Sequence, residues 1–227
     1  MKLVLTCEHG GNHIPEMFKL YFKNNLDILE THKGYDLGSF DVFNTLKPLS
    51  TYSMFSKTSR LLIELNRSLH HKSLFSEYSK SLSKTEKENL VDTYYLPYRN
   101  EVETIIKNLI ESKENVLHIS IHSFTPILNT TERYCDIGLL YDSSNSKERL
   151  FCKQLKTGIN ILKPNLNVRY NYPYLGKADG FTTYLRKQFP ENYLGIELEI
   201  NQKFSKNNIV NLTIKETLFQ VIGQLID

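Results

Sequence analysis

The chain has 227 residues, of which 40% are hydrophobic and 23% charged, with no Trp, 14 Tyr, 12 Phe and a net charge of +3. That length and mix suit one globular domain with a substantial core. The lysines are scattered and form no basic stripe, which argues against a nucleic-acid partner. Cys7, Cys135 and Cys152 are an odd, widely spaced set, neither a disulfide framework nor a CxxC metal site. Reduced thiols are expected. The opening MKLVLTCEHGG is too short for a signal peptide, and no apolar run nears the ~18 residues of a membrane span. A soluble, cytoplasmic protein with no membrane partner is the expectation.

In chain order, residues 2–7 (KLVLTC) read as a buried strand that breaks into the Gly-rich EHGGNHIP. Pro15 can open a short helix through 16–24. Leu37, Phe40, Phe43 and Leu46 form a helical stripe within 34–47. Residues 50–55 and 60–65 read as strands. A helical stretch over 84–112 is divided by Pro97, and its second part carries Val102, Ile105, Ile106, Leu109 and Ile110 on one face. Between them, the Ser/Lys-rich residues 73–83 read as a mobile excursion. Strands follow at 115–121, 136–142, 167–170 and 193–201, with helices at 146–161, 181–189 and 207–226. This alternation predicts a single α/β domain: a mixed, mostly parallel central sheet flanked by helices.

Sites in open α/β sheets form at the carboxyl ends of strands, and polar groups collect at several such ends. Glu8, His9, Asn12 and His13 crowd the glycines after the first strand, where imidazole and oxygen donors can meet a metal; an exposed polar turn is the bland alternative. In HISIHSF, alternation puts His118, Ser120 and His122 on one face. His122 stands near the strand end as a ligand, and His118 lies deeper as a core histidine. In GIELEIN, Glu197 and Glu199 share a face inside an apolar strand, where a carboxylate needs a partner or a metal. Glu197 is read as a general base. Arg60, Asn66 and Arg67 flank the run LLIEL and suit an anionic substrate, or ordinary surface salt bridges. Asp36 caps a helix or ligates a metal. Asn171-Tyr172-Pro173-Tyr174 with Gly176 covers substrate or forms a plain turn.

The segments EHGGNHIP, GYDLG, SRLLIELNR, HISIHSF, NYPYLGKADG and GIELEIN, in that order over nearly the whole chain, resemble the N-formylglutamate amidohydrolase family. That family is more distantly similar to the zinc carboxypeptidases. The resemblance implies a zinc-carboxypeptidase-like (phosphorylase/hydrolase-like) α/β fold. It implies a divalent metal, zinc first, and hydrolysis of a small anionic N-acyl amino acid, N-formyl-L-glutamate to formate and glutamate. His9 and His122 match the two histidine ligands, Glu197 the general base, and Asn66 and Arg67 a pair that holds the substrate carboxylate. Arg60 is placed beside the reacting carbonyl, and Asn171 is grouped with the substrate-binding residues. One departure stands out. The carboxypeptidase HxxE spacing from His9 reaches Asn12, so the third ligand is expected to be Asp36, with Asn12 or Glu8 as alternatives. A different N-acyl amino acid, a small peptide, or a non-catalytic binding role on the same scaffold are the competing expectations; oligomeric state stays open.

Overall fold

The computed structural model describes residues 1–226. Six strands build the central sheet: β1 (Lys2–Cys7), β2 (Tyr52–Phe55), β3 (Val116–Phe124), β6 (Ile137–Leu140), β7 (Val168–Tyr170) and β8 (Tyr193–Asn201), in the order β2-β1-β3-β8-β6-β7. The first four in that order run parallel. β6 pairs antiparallel with β8, and β7 follows β6 in parallel. Two small hairpins decorate the carboxyl end: β4 (Ile127–Leu128) with β5 (Thr131–Glu132), and β9 (Ser205–Lys206) with β10 (Ile209–Val210).

Helices cover both faces. On one, α1 (Ser39–Leu46), α4 (Ser146–Leu162) and α6 (Leu212–Ile226) pack on Leu3, Leu5, Leu117, Ile119, Ile121, Ile196, Leu198 and Ile200. On the other, α2 (Lys84–Leu90), α3 (Leu96–Glu111) and α5 (Phe181–Gln188) pack on Val4, Val116 and Tyr193. This second face changes character along the strands. Beyond Val4, the register aligns Thr6 with Ser120 and Glu197, and His122 with Glu199. Neighbouring residues of a sheet point the same way, so a buried polar patch forms there, met by Tyr98 of α3 and Thr182 of α5.

Several expected elements differ. The run 60–65 is no strand but two tight turns, with the Leu62 N–H donating to Ser59 O at 2.9 Å. Leu61, Leu62, Ile63 and Leu65 are all buried, a wrapped segment whose short apolar run mimics a core strand. Residues 16–24 form a 3₁₀ helix, Glu16–Phe22, rather than an α-helix. The segment 73–83 is anchored: Leu74 and Leu82 enter the core, and the Ser76 and Ser79 hydroxyls donate to Leu61 O. A Ser83–Glu86 capping box starts α2, and a π-helical turn, Val91–Tyr95, precedes Pro97 near the start of α3. The last helix starts at Leu212 because Asn207 and Asn208, both with positive φ, turn the hairpin β9–β10 first.

The three cysteines are free and buried, and burial pushes the Cys7 thiol up to about 12. Among the described residues, no helix is long and apolar enough to cross a membrane.

Candidate metal centre

Three loops meet at the carboxyl ends of β1 and β3. The Asp36 N–H donates to His9 O at 3.0 Å, the Arg60 N–H to Gly34 O at 3.2 Å, and the His13 N–H to Lys57 O at 2.8 Å. Gly38 makes the turn after Asp36 possible: its φ is +81°, and a Cβ there would lie 2.7 Å from Val210 Cγ2. This stitching brings His9, Asp36 and His122 together, all buried, with their donor atoms within 4.8 Å of one another. Asp36 Oδ2 lies 3.3 Å from His9 Nδ1 and 2.9 Å from His122 Nδ1. The two imidazole rings are 5.0 Å apart.

Each imidazole is oriented from behind. His9 Nε2 is bonded to Glu64 Oε1. His122 Nε2 lies 2.8 Å from Ser120 Oγ and 3.3 Å from Glu8 Oε2. Ser120 donates to that same Glu8 oxygen, and the Tyr98 hydroxyl donates to Glu8 Oε1 at 3.1 Å. A carboxylate behind Nε2 keeps the proton there and leaves the Nδ1 lone pair facing Asp36. Arg60 locks the acids in turn: Nε and Nη2 donate to Glu64 Oε2 at 2.9 and 2.6 Å, and Nη1 to Asp36 Oδ1 at 3.1 Å. Its guanidinium keeps two N–H groups beyond the three used here.

The electrostatics favour a cation. Burial alone would push the His122 imidazole down, but Asp36 and Glu8 outweigh it and raise its pKa well above the usual value. For His9, burial and Arg60 are likewise outweighed, by Glu64 and Asp36. Burial would raise the Glu8, Asp36 and Glu64 carboxyls. His122 dominates at Glu8, His9 and His122 at Asp36, and Arg60 with His9 at Glu64, and all three stay ionised. A field that draws protons to two imidazoles equally favours a divalent ion between them. Ligand atoms about 2 Å from a shared tetrahedral ion lie roughly 3.3 Å apart, close to the separations from Asp36 to both rings. Two imidazoles and one carboxylate leave a fourth position open, the donor set of a catalytic zinc site. The residues fit such an ion.

The other expected residues fall in varied places. Glu197 Oε1 accepts from Thr182 Oγ1 at 3.1 Å, at the start of α5. A Cβ on Gly180 would lie 3.0 Å from that oxygen. Glu199 stands beside His122 in the register; its Oε2 has no partner, and burial pushes its carboxyl up to about 8. Asn66 reaches the centre: its Nδ2 lies 3.4 Å from His122 Nε2, while its Oδ1 accepts from the Phe181 N–H.

Four expected residues lie outside the group of ligand atoms. Arg67 is not with the cluster; its Nη1 donates to Asp179 O, and Tyr95 and Arg99 hold its carbonyl. Asn171 is a turn residue with φ +48°, and its Oδ1 caps the Tyr141 and Gly176 N–H groups at 3.0 Å each. Its Oδ1 is spent on the backbone. Asn12 donates to Glu30 at 2.9 Å and lies outside the ligand group, beside a cleft of about 470 Å³. Glu8 stands behind His122 rather than among the ligands. His118, read as a core histidine, is buried between Thr6 Oγ1 at 2.8 Å and Tyr193 Oη at 2.7 Å.

Sequence reading passed over Glu64, which holds both His9 and Arg60. A signal existed: Glu64 is an acid inside an apolar run, four residues after Arg60, the same anomaly that singled out Glu197. Reading 60–65 as a strand hid the pairing, because strand residues i and i+4 share a face but stand about 13 Å apart, whereas a turn brings them into contact.

Known proteins place this geometry. A gene product from Agrobacterium tumefaciens, Atu2144, aligns over 100% of this chain and 92% of its own at 22% identity, with a TM-score of 0.82. An N-formylglutamate amidohydrolase from Ralstonia eutropha JMP134 aligns over 99% of this chain and 92% of its own at 15% identity, with a TM-score of 0.74. Both share the fold. A metallo-carboxypeptidase from Burkholderia cenocepacia aligns with 56% of its own length at 10% identity and a TM-score of 0.35, too low to argue a shared fold. No curated protein matches the chain. The family model for N-formylglutamate amidohydrolase matches residues 1–205. With nine-tenths of its length matched and its fold shared, the chain belongs to the N-formylglutamate amidohydrolase family.

Proposed function

We propose that the protein is a zinc-dependent amidohydrolase of small N-acyl amino acids, with N-formyl-L-glutamate as its first substrate. The observation that carries this reading is the His9–Asp36–His122 group, with a carboxylate behind each imidazole. A divalent ion held there supplies Lewis acidity, polarising the amide carbonyl and acidifying a water.

The chain's own groups supply the rest. Thr182 steadies Oε1 of Glu197, whose other oxygen carries no hydrogen bond from the described residues. That oxygen takes a proton from the attacking water as the water oxygen bonds to the acyl carbon. Glu197 then returns the proton to the leaving nitrogen as the C–N bond breaks. The spare N–H groups of Arg60 steady charge on the acyl oxygen. Asn66 orients substrate from beside His122. Glu199, held neutral by burial near neutral pH, cannot take that proton but competes to supply one to the leaving nitrogen.

A panel of N-acyl amino acids assayed with added zinc tests the reading, with release of the free amine as readout. Hydrolysis of N-formyl-L-glutamate supports it; no hydrolysis across the panel sinks it. Glu197→Gln is expected to retain zinc and lose turnover. Full activity in that variant, with turnover lost in Glu199→Gln, would move the proton transfer to Glu199. Zinc affinity is expected to weaken as pH falls, because the ion must displace protons from both imidazoles.

A further inference from the structure

Among the described residues, the centre described above holds no cation without a protein partner. Arg60 is engaged by Asp36 and Glu64, and Arg67 faces Asp179 O. Arg133, just beyond β5, is different. It is nine-tenths buried yet forms no ion pair among the described residues. Only Nη1 is engaged, by the Tyr174 hydroxyl at 3.2 Å and Thr125 O at 3.4 Å. Nε and Nη2 have no acceptor among the described residues. The guanidinium lies 5.2 Å from the Tyr174 ring centre and 5.9 Å from that of Phe124. A buried charge without a counterion is costly, and an arginine fork is the shape that takes a carboxylate through two parallel bonds. Arg99 also lacks an acid, but three aromatic rings and the carbonyls of Leu65 and Arg67 enclose it.

The position fits the centre. Phe124 ends β3 two residues after His122, so Arg133 stands over the same strand end. Tyr174 neighbours Arg133 directly and Arg60 electrostatically, and His32 lies in the field of Arg133, Arg60 and Asp36 together.

We propose that Arg133, presented by Tyr174, binds the side-chain carboxylate of the substrate and so selects acidic N-acyl amino acids over neutral ones. The inference rests on the amidohydrolase reading above. The NYPY loop then covers substrate through Tyr174 rather than through Asn171. Removing the arginine fork from a buried carboxylate changes affinity by about 10- to 100-fold.

The test uses the zinc-loaded full chain as wild type, Arg133→Met, Arg133→Lys and Tyr174→Phe. N-formyl-L-glutamate is assayed against N-formyl-L-norleucine, and glutarate binding against butyrate is measured by calorimetry. Arg133→Met is expected to raise KM for the glutamate substrate by about 10- to 100-fold, with kcat little changed and the norleucine substrate unaffected. Arg133→Lys should fall between, and Tyr174→Phe should show a smaller loss of the same selectivity. Should Arg133→Met fail to fold, Arg133→Lys, which keeps the charge and loses the fork, decides the matter. Equal losses on both substrates would make Arg133 a structural clamp on the hairpin and overturn the inference, as would an unchanged KM for the glutamate substrate. If the wild type hydrolyses nothing, the amidohydrolase reading fails by itself. Abolished glutarate binding in Arg133→Met would still support the carboxylate site, and unchanged binding would overturn it.

Discussion

The two faces of the central sheet are made by the same strands and do opposite things. Along β3, Leu117, Ile119 and Ile121 face α1, α4 and α6, while His118, Ser120 and His122 face the other way. The first face gains stability from apolar area removed from water. The second buries Glu8, Asp36, Glu64, Glu197 and Glu199 with two imidazoles, an arrangement that is costly unless every charge is answered. Within the polar face, depth divides the roles. His118 is closed in by Thr6 and Tyr193 and stays neutral, whereas His122, four residues on, meets Asp36 and Glu8. A strand therefore stores stability on one side and poises chemistry on the other, and the helices decide where the second begins.

The contrast can be broken from either side. The largest effect is expected from His122→Ala, which removes a ligand and leaves Glu8 and Asp36 uncompensated. Zinc binding should be lost, and stability should fall by about 3–5 kcal/mol; metal analysis and chemical denaturation read both. Ile119→Ala on the opposite face should cost roughly 2–5 kcal/mol and leave zinc stoichiometry intact. A loss of zinc in that folded variant would show that the faces are not separable.

His118 sharpens the boundary within the polar face. Burial lowers its pKa to about 4, against 6.5 for a free imidazole. Below pH 6.5 the unfolded chain therefore binds a proton that the folded chain refuses. Its contribution should erode as pH falls from 6.5 to 4, by about 3 kcal/mol in total, and stay flat above that window. The difference between wild type and His118→Gln, followed by denaturation across this range, isolates it; parallel curves would refute the neutral core role. The smallest effect is expected from Glu64→Gln, which keeps the shape behind His9 and removes the charge. Zinc affinity should fall by about 10- to 100-fold, measured by competition with a chelator, with the fold preserved.

Much of this is legible in the sequence because it is written in local pattern. Alternation in β1, β3 and β8 sets the strands and puts His122, Glu197 and Glu199 on one face, and the ordered motifs point to the family that residues 1–205 match. The run at 60–65 misleads because four buried apolar residues so close together look alike in a strand and in a wrapped turn. That error hides Glu64.

By itself, the sequence determined the strand faces and the residue types available for chemistry, because periodicity and side-chain character are local properties. Only the tertiary structure decided which acid joins the histidines. Asp36, 27 residues from His9 and 86 from His122, is brought to both by backbone bonds between loops. It also decided that Arg133 is buried without a counterion among the described residues, since a side chain's partners depend on which distant segments the fold sets against it.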